Sequence, residues 1–145
     1  VYGDRAVIFS NHAGSSDDPG HAAATRLEAT TGLAVLRHAS RKPYGANAVR
    51  AWAKCPLEHV AVVGDRLLTD VAFANLHGML SIRVDPLSPG GTRVNAAVRA
   101  ARWFEDTVLA PRLCRGAAPP DHPAVLAYRA TTASATTTTK GGTGE

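Results

Sequence analysis

The chain has 145 residues, 45% of them apolar and 6% aromatic, and a net charge of +4. That length buries one core rather than two; no stretch reaches the roughly 18 apolar residues of a membrane-spanning helix, and two cysteines without CxxC spacing are too few for a structural zinc site. The basic excess is Arg scattered from Arg5 to Arg129 rather than gathered into an arm, so anionic partners are favoured in general and nucleic acid is not expected.

Arg5 to Phe9 reads as a short buried strand that stops at the polar pair Ser10-Asn11. The chain enters this strand pattern within a few residues of Val1, so the natural N-terminus is expected to lie elsewhere. A Gly-, Ser- and Asp-rich loop, 13–20, leads to a helix over His21 to Thr31 that Gly32 ends. Leu33 to Leu36 is the second apolar run. A basic loop follows, Arg37 to Lys42 with Pro43, and then a helix over Gly45 to Lys54.

His59 to Val63 is the third strand and runs into Gly64-Asp65-Arg66, with a helix from Thr69 to Leu76 that Thr69 would cap. Met79 to Val84 is the fourth strand. A last helix, Val94 to Leu113, aligns Val98, Ala101, Phe104 or Glu105, Val108 and Leu109 on one stripe, which predicts packing onto the sheet. From Gly116 the prolines break the pattern, and the Thr-, Ala- and Gly-rich run to Glu145 has almost nothing to bury, so 116–145 is expected to be a disordered tail on a domain spanning 1–115. Short apolar strands alternating with helices predict an α/β fold with a parallel sheet covered on both faces.

In such sheets ligands gather beyond the carboxyl ends of the strands. Ser10-Asn11 offers a hydroxyl and an amide able to donate to phosphate oxygens, although a polar pair there also suits a simple turn. Lys42 is a compact cation of the kind a phosphoryl group needs, worth about 4 kcal/mol at ~4 Å and an effective dielectric near 20, before desolvation. Asp65 and Asp70, five residues apart at a strand-to-helix turn, could approach one magnesium ion; the plainer reading is a turn residue and a helix-dipole partner. The six histidines show no paired-ligand spacing and are expected on surfaces or loops. Trp103 and Phe104 beside Arg99 and Arg102 are expected to pack in the core, with a membrane-facing role as the alternative.

Taken in order, Val7-Ile8-Phe9-Ser10-Asn11, then Arg37-His38 with Arg41-Lys42-Pro43, then the run from Val62 to Val71 resemble motifs two, three and four of the haloacid dehalogenase (HAD) superfamily. Within it, SNHAGSSDD, VLRHASRKP and GDRLLTDVAFANLHGM are similar to the mitochondrial phosphatidylglycerophosphate phosphatases of fungi. The resemblance implies a Rossmann-like fold, a peripheral enzyme on the matrix face of the mitochondrial inner membrane, and a phosphorylated lipid as substrate. It implies that Ser10 and Asn11 bind the phosphoryl group, that Lys42 neutralises it, and that Asp65 holds Mg2+ with Asp70 assisting. The family's opening Asp-x-Asp motif is absent from this sequence, and neither Asp4 nor Asp17-Asp18 follows a suitable strand. The strand carrying that motif, central in the family's sheet, is expected to be missing too, leaving a chain inactive and poorly stable by itself. A HAD phosphatase for a soluble phosphate and a non-catalytic module binding acidic membranes are the alternatives.

Overall fold

A computed structural model describes residues 3–85, 96–113 and 121–138. Four short strands, β1 (Val7–Ile8), β2 (Ala34–Val35), β3 (Ala61–Gly64) and β4 (Leu80–Arg83), alternate with the helices α1 (Ala22–Thr31), α2 (Ala46–Ala53) and α3 (Ala72–Leu76). Every pairing is parallel, as helical crossovers require. The α/β class expected from the sequence is therefore present.

The strands form two parallel pairs. β1 pairs with β2 and β3 with β4, and no ladder joins the two pairs among the described residues. Each pair is held separately: Val7 lies opposite Ala34 and Ile8 opposite Val35, whereas Ala61 to Gly64 run alongside Leu80 to Arg83. The backbone N–H of Val35 donates to Glu28 Oε1 of α1 (2.9 Å), so α1 blunts the outer edge of β2. One of two buried clusters spans both pairs, the other lying under α1 around Ala13, Ala24 and Val35. Phe73 (1% exposed), Ala74, Met79, Val49 and Ala46 form the centre of the spanning cluster, and Phe9 and Leu36 from the first half pack against it with Val60 and Val62 from the second.

Three local expectations need correction. Thr69 is not a helix cap: a π-helical turn, Leu67–Val71, precedes α3, Arg66 is the extended residue before it, and Thr69 sits inside the turn. The last helix comprises α4 (Ala96–Phe104), a second π-helical turn (Glu105–Leu109) and α5 (Ala110–Leu113), and its first expected residues lie outside those described, as does Cys114. Glu105 is buried at 3% exposure, while Trp103 (64%) and Phe104 (46%) project outward rather than into the core. Thirdly, much of the tail expected to be disordered is helical. α6 spans Pro123–Thr138, a segment rich in alanine with proline at its first position. Two of its threonines fold back on the helix, Thr131 Oγ1 donating to the Ala127 carbonyl (2.6 Å) and Thr132 Oγ1 to that of Tyr128 (3.1 Å). Residues 116–120 and 139–145 lie outside those described.

Candidate active site

The loop after β1 is built around two side chains. Ser10 Oγ accepts the N–H groups of His12 and Ala13 (3.2 Å each), which closes a tight turn and leaves the hydroxyl hydrogen available to a ligand. Buried Asp18 accepts the N–H groups of Gly14, Ala23 and Ala24, each at 2.9 Å, tying the loop to the start of α1. Those bonds, that from Gly14 foremost, hold its carboxyl down at a pKa of about 2. Asp17 is paired with Arg41. Both acids are thus engaged within the fold. Gly14 is required: its φ is +79°, and a Cβ there would lie 2.4 Å from the Leu36 carbonyl oxygen.

Lys42 is fastened from several sides. Its N–H donates to Asn11 Oδ1 (2.6 Å) and its carbonyl accepts from Asn11 Nδ2 (3.1 Å), so Asn11 grips the Lys42 backbone like a complementary strand. Asn11 is expected from the sequence to bind phosphate; here both its polar atoms are engaged, leaving one amide hydrogen for that purpose. The Lys42 ammonium lies 5.6 Å from the centre of the Phe9 ring and pairs with the Asp70 carboxylate, both side chains being about nine-tenths buried. Asp70 also accepts the Arg66 N–H (3.2 Å). Its carboxylate lies directly over Gly64, where a Cβ would come within 2.4 Å of Asp70 Cγ. The glycine at the end of β3 is therefore the cradle of Asp70.

Asp65 is placed differently. It pairs with Arg102 of α4, and the same helix reaches back through Glu105 to Arg66 (2.7 Å) and through Asp106 to Arg83 (2.6 Å). Arg66 and Arg102 each leave a buried Nε–H without an acceptor, so this end of the site is less fully satisfied than the Lys42 end. Arg102 and Glu105 carry no local signal in the sequence that could have revealed them, since their partners are 37 and 39 residues away.

The structure thus joins the Ser10-Asn11 loop, Lys42 and Asp70 directly, and sets Asp65 on the same loop as Asp70 but engaged with Arg102. Asp65 and Asp70 supply hard carboxylate oxygens of the kind magnesium prefers. Among the described residues no cluster of three His, Cys, Asp or Glu side chains surrounds a cation position. Each of the two acids is engaged by a basic side chain, Asp65 by Arg102 and Asp70 by Lys42.

Residues 1–87 match the family described as "Mitochondrial PGP phosphatase". The chain belongs to this family. It is 43% identical over 124 residues to "Phosphatidylglycerophosphate phosphatase 1, chloroplastic" of Chlamydomonas reinhardtii, an alignment covering 84% of this chain and 45% of that protein. Against "Phosphatidylglycerophosphate phosphatase 1, chloroplastic/mitochondrial" of Arabidopsis thaliana it is 36% identical, with 84% and 35% covered. Against "Phosphatidylglycerophosphatase GEP4, mitochondrial" of Saccharomyces cerevisiae it is 41% identical over 87 residues, with 56% and 47% covered. The likeness to fungi thus extends to an alga and a plant, and the chain spans less than half the length of the curated relatives it matches. No solved structure matches it. Ser10, Asn11, Lys42, Asp65 and Asp70 all fall within the family match, whereas Arg102 and Glu105 lie beyond it.

Proposed function

We infer that this chain forms part of a phosphatidylglycerophosphate phosphatase of HAD type, which hydrolyses the terminal phosphate of a phosphorylated lipid to give phosphatidylglycerol, a precursor of cardiolipin. The observation that carries this is the buried Lys42–Asp70 pair, fastened to the Ser10-Asn11 loop at the ends of parallel strands. A dianionic phosphoryl group needs such a fixed cation and nearby donors, because catalysis of its transfer rests on positioning and electrostatics.

In this reading Ser10 donates its hydroxyl to a phosphoryl oxygen, and the remaining Asn11 amide hydrogen serves the same group. Lys42 neutralises charge on the phosphoryl as it moves, and Asp70 holds Lys42 extended. Asp65, with Asp70 assisting, holds magnesium, which when bound offsets phosphoryl charge. The nucleophile is an aspartate of the Asp-x-Asp motif outside residues 1–145, and a second aspartate of that motif serves as acid and base. The strand bearing it would pair with the open edges of β1 and β3. Val63, 61% exposed on β3, supports a further covering element there.

Exposed Trp103, Phe104 and Arg99 support peripheral contact with an anionic bilayer. We place the protein at the matrix face of the mitochondrial inner membrane; the family's description supports the mitochondrion, and the algal and plant relatives' names favour the chloroplast as a second reading.

The test is a substrate panel on the full-length protein, comparing phosphatidylglycerophosphate in mixed micelles with sugar phosphates and nucleotides. The lipid should be preferred; preference for a soluble phosphate would keep the chemistry and replace the substrate. Lys42→Ala should nearly abolish turnover and Asp65→Asn should raise the magnesium concentration needed. Wild-type behaviour in both would reject the assignment.

A further inference from the structure

The segment that presents Lys42 rests on a row of four rings. His38 meets Phe9 edge-on at 4.4 Å, Phe9 meets Phe73 at 5.2 Å, and Phe73 meets His77 at 5.1 Å. Both ends of the row reach main-chain carbonyls. His77 Nε2 lies 3.2 Å from the Pro43 oxygen, while His38 uses both nitrogens, Nε2 at 2.8 Å from the Ser10 oxygen and Nδ1 at 2.7 Å from that of Ser40.

A carbonyl oxygen only accepts. Each of the two contacts is therefore a hydrogen bond when the His38 nitrogen facing that carbonyl carries a hydrogen. The charged side chains of its own loop are matched elsewhere: Arg37 with Glu28, Arg41 with Asp17 and Lys42 with Asp70. The ring itself contacts Phe9 and the two neutral carbonyls. It bridges the phosphate-loop serine to a residue two positions before the lysine.

We propose that His38 is a positioning residue, a doubly hydrogen-bonded staple that sets the Ser10 hydroxyl and the Lys42 ammonium at a fixed separation for the transferring phosphoryl group. The proposal rests on the phosphatase reading above for its catalytic consequence, though the staple itself does not. Ser10 and Lys42 come from loops after different strands, and small misplacement of a charge-stabilising group lowers the rate far more than it weakens substrate binding.

Two measurements on the full-length protein test this. At mildly acidic pH, wild-type protein should show two slowly exchanging ring N–H protons assigned to His38, both lost in His38→Ala; a single protected ring proton would overturn the double bridge. In steady-state kinetics His38→Gln, which retains only part of the donor set, should lower kcat by about tenfold to a hundredfold with KM nearly unchanged. A His38→Gln enzyme with wild-type kcat would overturn the positioning role, as would a loss fully explained by a smaller folded fraction. Lys42→Ala serves as the control: if it turns over normally, the phosphatase reading fails while the ring spectrum still decides the staple. Should His38→Gln not fold, the wild-type spectrum and the milder His38→Asn variant carry the test, with the same outcomes.

Discussion

The pairing of Lys42 with Asp70 makes a quantitative demand on stability. Their side chains are 11% and 10% exposed, so neither charge has much access to water when its partner is removed. Breaking a buried pair from one side costs about 3–5 kcal/mol, a large part of the roughly 5–15 kcal/mol that stabilises a domain. Lys42→Met leaves the carboxylate over Gly64 with only the Arg66 N–H and the weak Thr69 hydroxyl contact. Asp70→Asn leaves the ammonium facing a neutral amide. The double variant removes both charges from a site that stays packed, and replacing a buried pair with neutral groups is often close to neutral. Urea unfolding of the full-length wild type, both single variants and the double should give single losses near 3 kcal/mol each and a double variant that loses far less than their sum of about 6 kcal/mol. Additivity to within about 0.5 kcal/mol would refute the claim that these charges stabilise one another in the fold.

Gly64→Ala should destabilise by about 1–3 kcal/mol in the same unfolding assay and lower turnover, because the new methyl would overlap the Asp70 carboxylate; a variant as stable and active as wild type would contradict the close approach. Acid should weaken the first half of the chain. Asp18 drops from an ordinary 3.8 to about 2 and Glu28 from 4.5 to about 2, the latter chiefly through the Arg37 guanidinium. Because folding depresses both values, the stability they provide is complete above about pH 4.5 and is lost as pH falls through about 2, so an Asp18→Asn/Glu28→Gln variant should show a flatter stability profile across that window. Finally, the 145-residue chain by itself should melt broadly or aggregate, since β1 and β3 each keep an open edge; a sharp cooperative melt of the monomer would show that no further strand is needed.

The sequence alone determined the order of strands and helices and the places where chemistry collects. Apolar runs such as 60–63, the stop at Ser10-Asn11 and the turn at Gly64 are local signals, since burial period and turn chemistry act over a few residues. Hence Lys42, Asp65 and Asp70 could be singled out from their positions after strands. What the tertiary structure alone decided is who partners whom. Asn11 clasps the Lys42 backbone across 31 residues, Asp70 meets Lys42 across 28, and Arg102 reaches Asp65 across 37. The inward turn of Glu105 belongs to the same class. Those outcomes depend on three-dimensional packing and on which buried charges find a counter-charge, and neither quantity is written in the spacing of neighbouring residues.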